Sequence, residues 1–241
     1  MKIGTKSILF GAHAFWLHPF LVAWAWIKIW GTRLVEYGRI DADSGQLRVM
    51  GRDYKLPDNV KMHVSCMTSI YDWRLWLAFF VHDIGYWGQP NMDGKEGESH
   101  PYQGALLMER WCDRDTPGYR PWGDFTAYHS GYYARYNGHQ VSALYYADKL
   151  AFSLEWGWLY VFRTRITGEI REFRNVDKHV AATHGYISAE NRQDSSWRGD
   201  MEWFRRIKQY HIDLARPARV RIYSQNPHTE SFEKDRRKSR D

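Results

Sequence analysis

The chain has 241 residues, enough for one substantial hydrophobic core and a single domain with an appendage. Its 13 Trp, its 16 Tyr and a charged fraction of 26% are typical of a globular protein and argue against a disordered chain. The net charge is +6, but the segment 216–241 holds eight Lys or Arg against four Asp or Glu, so the rest of the chain is nearly neutral.

The basic C-terminal segment is of a kind that is usually solvated, and contact with nucleic acid is the alternative interpretation. Cys66 and Cys112 are too few and too far apart for a disulfide scaffold, so we expect a reducing, cytoplasmic location. The apolar stretch 15–30 is interrupted by His18 and Lys28 and is too short to span a bilayer. No small-residue cleavage site follows it, so neither a membrane span nor a secretory leader is expected.

The first predicted element is a buried helix from His18 to Trp30, whose apolar residues recur at helical spacing until Gly31 ends it. Residues 32–56 then follow a strand-like pattern on both sides of the turn signal 43–45. This segment predicts an inserted β-hairpin. A helical stretch is expected to open at Pro57-Asp58.

The remaining segments predict further helices. A helix rich in apolar residues runs from Trp73 to Val81, and others start near Pro101, Gly123 and Val141, the last continuing toward Trp158. An amphipathic helix is expected over Asp200–Leu214, closed by Pro217. The predicted fold class is therefore all-α: a helical bundle over residues 1–190 with a small inserted hairpin, then a C-terminal helix and basic tail over 191–241.

His82 and Asp83 stand next to each other at the end of an apolar helix. Burying an imidazole beside a carboxylate is costly unless something satisfies both groups, and a metal ion would do so. A His-Asp pair alone is weak evidence. Similar side chains occur at the edges of the other apolar segments: His18, His100, His129 and Asp148.

Several short motifs occur in one order along residues 12–152: His18 with Val22-Ala23 after it, His82-Asp83-Ile84-Gly85, His100-Pro101 with Gly104 after it, His129, and Ala147-Asp148. This order resembles the HD-domain superfamily of metal-dependent phosphohydrolases, in the binuclear form typical of HD-GYP-like proteins. The interval between His18 and His82 is longer than the family's, and the predicted insertion accounts for the excess. The resemblance implies an HD-domain helical bundle and six metal ligands: His18, His82, Asp83, His100, His129 and Asp148.

Such a ligand set suits two divalent transition-metal ions, with Fe, Mn, Ni and Zn as candidates and Asp83 as the expected bridge. Two bridged ions lower the pKa of a shared water, and the resulting hydroxide can attack phosphorus. Asp83 and Lys149 are the candidate catalytic residues. The expected substrate is a nucleotide or a related small phosphorylated molecule.

Three cations are candidate phosphate contacts, namely Lys95, Arg135 and Lys149, and ordinary surface charge explains each of them equally well. Many HD proteins have Lys in the pattern His-Asp-x-Gly-Lys, where this chain has Tyr86. The Tyr86 hydroxyl is a candidate substrate contact, although packing in the core is the commoner role of a Tyr.

Two further residues are candidate supports of the ligands. Glu98, like Glu96, precedes His100 and could orient its imidazole, while solvation is the commoner role of such a Glu. His13 is the alternative to His18 as first ligand and otherwise a supporting residue. The other histidines lack comparable context and are interpreted as surface or core residues: His63, His139, His179, His184, His211 and His228.

The chain also departs from the family pattern. A single His129 stands where a His-His pair is usual and the Gly-Tyr-Pro element is missing, so we do not expect a cyclic-di-GMP enzyme. The leading hypothesis is a phosphohydrolase or phosphodiesterase. The alternatives are a mixed-valent di-iron oxygenase of the same superfamily and a non-enzymatic protein that binds a nucleotide or metal. The high aromatic content would also support a homo-oligomer.

Overall fold

The structure is a computed structural model that describes residues 1–42, 46–49, 52–55, 62–114, 119–175 and 194–224. Ten α-helices are described, together with two small antiparallel sheets, so the predicted all-α class is confirmed. The helices are α1 (Ile3–Phe10), α2 (His18–Trp30), α3 (Trp73–Val81), α4 (His100–Cys112), α5 (Pro121–Ala127), α6 (Gly131–Tyr136), α7 (Ala143–Leu154), α8 (Gly157–Thr167), α9 (Glu169–Asn175) and α10 (Trp197–Ser224).

Helices α2 and α3 begin and end where the sequence predicts. The backbone of Gly31 has a φ of 64°, a left-handed conformation that favours glycine and ends α2. Asp72 caps the first turn of α3 by accepting a hydrogen bond from the backbone N–H of Arg74 at 3.0 Å. The helices predicted near Pro101 and Gly123 are α4 and α5, each with Pro in its first turn.

The strand-forming segment is more extensive than a single hairpin. Strand β1 (Val35–Ala42) pairs antiparallel with β4 (Met62–Thr68), so that Val35 lies opposite Thr68. Between them, β2 (Gln46–Val49) pairs with β3 (Arg52–Lys55). The expectation that β1 pairs across the turn signal 43–45 is therefore wrong. That turn itself lies outside the described residues.

The helical stretch expected after Pro57-Asp58 is also wrong from residue 62 onward, where the chain forms β4. The sequence alternates there between polar His63 and Ser65 and apolar Val64 and Cys66, a period typical of strands. Pairing with β1 decides the conformation of this segment, and the paired residues are between 20 (Ala42 and Met62) and 33 (Val35 and Thr68) positions apart in the chain. A local pattern does not reveal such a distant partner.

Two helix boundaries near the C-terminus also differ from the predictions. The helix expected from Val141 to Trp158 is divided into α7 and α8, because Glu155 is extended, with a ψ of 150°. Helix α10 runs past Pro217 to Ser224, so that proline does not end it. The basic tail after residue 224 and the expected domain boundary at 190 lie outside the described residues.

Two hydrophobic clusters form the core. The first joins α2, α3, α5 and α7 around Trp26, Phe79, Phe125 and Leu144, all nearly inaccessible to solvent. The second joins α1, α8, α9 and α10 and contains Ile8, Tyr160, Phe173, Trp203, Phe204 and Ile207. No helix of the described ranges has both the length and the apolar composition needed to cross a membrane. Packing of these two clusters brings the starts or ends of several helices together.

A buried ion pair holds the corner between α7 and α8. Arg163 donates to the Glu155 carboxylate and, at 2.5 Å, to the backbone carbonyl of Gly11, and the side chains of Arg163 and Glu155 are 7% and 4% exposed. Removal of one member of a buried pair leaves an uncompensated charge in the interior.

We expect Arg163→Met to lower the free energy of unfolding by about 3–5 kcal/mol, as found when one partner of a buried pair is removed. Urea denaturation followed by circular dichroism measures this loss. Arg205→Met is the matched control, because Arg205 pairs with Glu202 while its side chain is 70% exposed, and a cost below about 1 kcal/mol is expected there. Equal losses for the two variants would contradict the prediction.

Candidate metal centre

The six predicted ligands converge on one buried site. His18 begins α2, His82 and Asp83 follow α3, and His100 begins α4. His129 follows α5, and Asp148 lies within α7. All six are less than a tenth exposed. They form two groups that could each hold a metal ion, His18–His82–Asp83–Asp148 and Asp83–His100–His129, with the ligand atoms of each group within 4.8 Å of one another.

Asp83 belongs to both groups because its two oxygens face opposite sides. Asp83 Oδ2 lies 2.9 Å from His82 Nε2 and 3.4 Å from His18 Nε2. Asp83 Oδ1 lies 3.3 Å from His129 Nε2 and 3.5 Å from His100 Nε2. Donor atoms that each lie about 2 Å from a common ion are themselves separated by roughly 3 Å, so these distances are compatible with coordination.

Asp148 completes the first group. Its Oδ1 lies 3.0 Å from His18 Nε2 and 3.7 Å from His82 Nε2, while its Oδ2 accepts a hydrogen bond from Lys149 Nζ at 3.0 Å. Burial alone would raise the pKa of both aspartates. Lys149 and the imidazoles of His18 and His82 nevertheless hold the pKa of Asp148 well below the usual range, and imidazoles, His82 first among them, do the same for Asp83. Both carboxylates are therefore anionic.

Main-chain carbonyls orient three of the imidazoles. The Nδ1 atoms of His82, His100 and His129 lie 3.0, 2.7 and 2.6 Å from the carbonyl oxygens of the residues three positions earlier: Phe79, Gly97 and Thr126. Since a carbonyl only accepts, each Nδ1 carries the proton and donates it. In the neutral imidazole the Nε2 lone pair then faces the centre, as in metal-binding histidines of known sites.

This arrangement is unfavourable without a cation. His100 Nε2 and His129 Nε2 lie 3.2 Å apart, so two neutral imidazoles would oppose their lone pairs. Burial, together with the neighbouring His129, lowers the pKa of His100 well below its usual range, which disfavours a proton there. His82 Nε2 and Asp83 Oδ2 are buried and, although they lie 2.9 Å apart, neither makes a hydrogen bond with a described residue. One divalent ion in each ligand group would satisfy all four atoms.

The two imidazoles of the first group, those of His82 and His18, show the opposite tendency to His100. Burial lowers the pKa of His82, but the charges of Asp83 and Asp148 outweigh this effect and raise it to about 10. The same two carboxylates raise the pKa of His18 against the effect of burial. A proton and a metal ion therefore compete for these two imidazoles.

A cavity of about 260 Å³ opens onto the cluster. Its walls include five of the six ligands, His82 being behind them, and the candidate residues His13, Tyr86, Glu98, Arg135 and Lys149. Lys95 is exposed and does not line the cavity, so its predicted contact with substrate is not supported. Tyr86 is buried and its ring stacks on His100 with centroids 3.9 Å apart.

The two predicted supporting residues, Glu98 and His13, both line the cavity. The main-chain carbonyl of Gly97 orients His100, and a role of Glu98 in this stays a prediction. His13 lies outside both ligand groups, with Nε2 3.9 Å from Asp83 Oδ2 and Nδ1 2.9 Å from Ser7 Oγ. His18 is thus the better first ligand. Burial lowers the pKa of His13 to about 4.

Sequence reasoning missed the part of the cavity that α8, α9 and α10 provide. Tyr160, Phe173, Trp203 and Ile207 line it, and each is less than a tenth exposed. The amphipathic pattern of α10 was recognisable, but such a pattern does not show which part of the protein its apolar face packs against.

Neither a family model, nor a curated protein, nor a solved structure matches this chain.

Metal binding is expected to stabilise the fold, because an ion that binds the native ligand cluster favours the folded state. At a free concentration 100 times the dissociation constant, Mn²⁺ or Zn²⁺ should raise the melting temperature of chelator-treated protein by about 5–10 °C. Scanning calorimetry measures the shift.

Asp83→Asn should abolish most of that shift, because the substitution weakens both ligand groups. His139→Gln is the control, since His139 is exposed and belongs to neither ligand group. Equal stabilisation of the wild type and Asp83→Asn would refute a metal centre at Asp83.

Proposed function

We propose that the protein is a metal-dependent phosphohydrolase of the HD-domain type, acting on a small phosphorylated molecule. The observation that carries the proposal is the Asp83 carboxylate, whose two oxygens face two separate groups of buried imidazoles. Carboxylate-bridged pairs of ions recur in enzymes that transfer phosphoryl groups. The ligand order described above, which resembles that of binuclear HD proteins, supports the same activity.

The surroundings of the ligands also favour an anionic substrate. Lys149 is one residue beyond Asp148 and one third exposed, and it lines the cavity together with Arg135. Lysine and arginine are the side chains that commonly contact phosphate oxygens. A cavity of about 260 Å³ has room for a small substrate beside the ligand cluster.

Each of the candidate residues would have a distinct role in the hydrolysis. Two divalent transition-metal ions, when bound, would supply an acidified water and would stabilise charge on the phosphoryl oxygens. His18, His82 and Asp148 would hold one side, His100 and His129 the other, and Asp83 both. Lys149 Nζ would donate to a phosphoryl oxygen, and the buried position of the ligands would keep bulk water away from the reacting phosphorus.

The test is a hydrolysis screen. Protein loaded with Mn²⁺, Fe²⁺, Ni²⁺ or Zn²⁺ should release phosphate from members of a panel of nucleotides and other phosphate esters. Asp83→Asn should lower kcat/KM by about 10³-fold, because it weakens ligation on both sides, whereas His139→Gln should leave kcat/KM unchanged.

Two outcomes would overturn the proposal. In the first, none of the metal-loaded samples releases phosphate from any substrate of the panel. In the second, phosphate is released, but Asp83→Asn does not lower the rate of release. Oxygen uptake is measured in parallel, because consumption of oxygen by a form with two irons would indicate the oxygenase alternative. Absence of bound metal after gentle purification would indicate a non-enzymatic protein.

Two lysines provide a matched pair of variants. Lys149→Gln should lower kcat/KM by about 10- to 100-fold, the loss expected when a hydrogen bond to a charged group is removed. Lys95→Gln should have no effect, because Lys95 is exposed and lies off the cavity. Initial rates at several substrate concentrations give kcat and KM separately for each variant. Equal effects of the two substitutions would contradict a role for Lys149 in the cavity.

A further inference from the structure

The cavity beside the ligand cluster has two chemically different walls. One contains Arg135, Tyr145 and Lys149 and is called the polar wall below. The other is called the apolar wall and is formed by six largely apolar side chains of α7 to α10: Phe152, Tyr160, Phe173, Trp203, Ile207 and Leu214. The polar side chains of Glu155, Tyr210 and His211, from the same part of the chain, also line the cavity. A ligand that fills the cavity therefore has to present unlike groups to the two walls.

The polar wall places its two cations around one tyrosine. Lys149 Nζ lies 5.9 Å from the centre of the Tyr145 ring. Gly131 packs between Tyr145 and Arg135, since a Cβ on Gly131 would lie 3.2 Å from the Tyr145 ring and 3.4 Å from Arg135 Nη1. Both cationic groups therefore reach the same part of the cavity, next to Asp148.

The apolar wall begins one helical turn beyond Asp148. The ring of Phe152 lies 4.7 Å from that of Tyr160 and 5.0 Å from that of Phe204. Trp203 and Ile207 are 3% and 2% exposed and belong to the second hydrophobic cluster. The wall is thus a packed aromatic surface, which accepts a flat apolar group at little cost in ordering.

The Lys and Arg side chains that line the cavity are concentrated in one place. Among the described residues these are Arg135 and Lys149, and both lie near the Tyr145 ring. A buried arginine beside the cavity, Arg163, is already paired with Glu155. The lining therefore offers one cationic position, which suits one phosphate group.

We infer that the substrate is a phosphomonoester with one phosphate group and a flat, largely apolar organic group. This inference rests on the proposed hydrolysis and narrows its substrate class. The phosphate contacts Lys149 and Arg135, and the organic group lies on the apolar wall. In the reaction the ester P–O bond breaks, the oxygen of water becomes bonded to phosphorus, and a proton from that water goes to the departing alcohol oxygen.

The first test measures binding and needs no turnover. Isothermal titration of Mn²⁺-loaded protein compares phenylphosphonate, methylphosphonate and pyrophosphate. Phenylphosphonate should bind about 10- to 100-fold more tightly than methylphosphonate, as expected for burial of one aromatic ring. It should also bind more tightly than pyrophosphate. Equal affinities of the two phosphonates, tightest binding of pyrophosphate, or no binding of any probe would each overturn the inference.

A matched pair of leucine variants tests whether the apolar wall causes the tighter binding of phenylphosphonate. Leu214 lies two turns beyond Ile207 on the same face of α10, is partly buried and lines the cavity. Leu214→Asn should weaken phenylphosphonate about 5- to 10-fold and leave methylphosphonate unchanged. Leu106→Asn, on the exposed face of α4, should change neither affinity. Circular dichroism checks that both variants fold, and an equal loss for both phosphonates would contradict the apolar wall.

A comparison of hydrolysis rates for three substrates distinguishes failure of this inference from failure of the proposed function. Phenyl phosphate should have a kcat/KM at least about 10-fold above that of glycerol phosphate and of a nucleoside triphosphate. Release of phosphate from all three at equal kcat/KM would retain the phosphohydrolase and overturn the substrate class. Preferential binding of phenylphosphonate without any phosphate release would support the two walls and count against hydrolysis.

Discussion

The burial of two carboxylates together with four imidazoles is the constraint on which the site depends. Four imidazole Nε2 atoms lie within 3.5 Å of an Asp83 oxygen, and three of these imidazoles have already committed their Nδ1 proton to a main-chain carbonyl. Such a cluster is costly to bury unless a cation occupies it. The packing of helices α2, α3, α4, α5 and α7 assembles it nonetheless. A bound ion would offset this cost, and its binding would then be coupled to folding.

The fold separates this costly cluster from the elements that stabilise the chain. The first hydrophobic cluster fixes the helices that carry ligands, while the second, with α10, provides the aromatic surface across the cavity. The buried pair of Glu155 and Arg163 lies at the junction, where α7 ends and α8 begins. None of the six candidate ligands lies on α10, although that helix packs on α7, which carries Asp148.

Much of the ligand cluster was predictable, because each ligand stands at the edge of an apolar helix or within one, and the order of the motifs resembles that of a known superfamily. Local patterns also located α2 and α3. They failed where distant pairing decides the structure, as in β4, whose partner β1 lies across the inserted segment. They also failed at Glu155, where one buried carboxylate and its partner Arg163 interrupt an otherwise helical pattern.

The use of main-chain carbonyls to orient the imidazoles has a consequence for variation. A carbonyl is present whatever the side chain, so the orientation of His82 and His129 places no chemical demand on the side chains of Phe79 and Thr126. Those positions are constrained by packing alone, since both are buried. Related chains could have other residues at positions 79 and 126 and still keep the imidazole tautomer that metal binding would require. Conservation at these two positions would therefore indicate a packing constraint and would not be evidence for a bound ion.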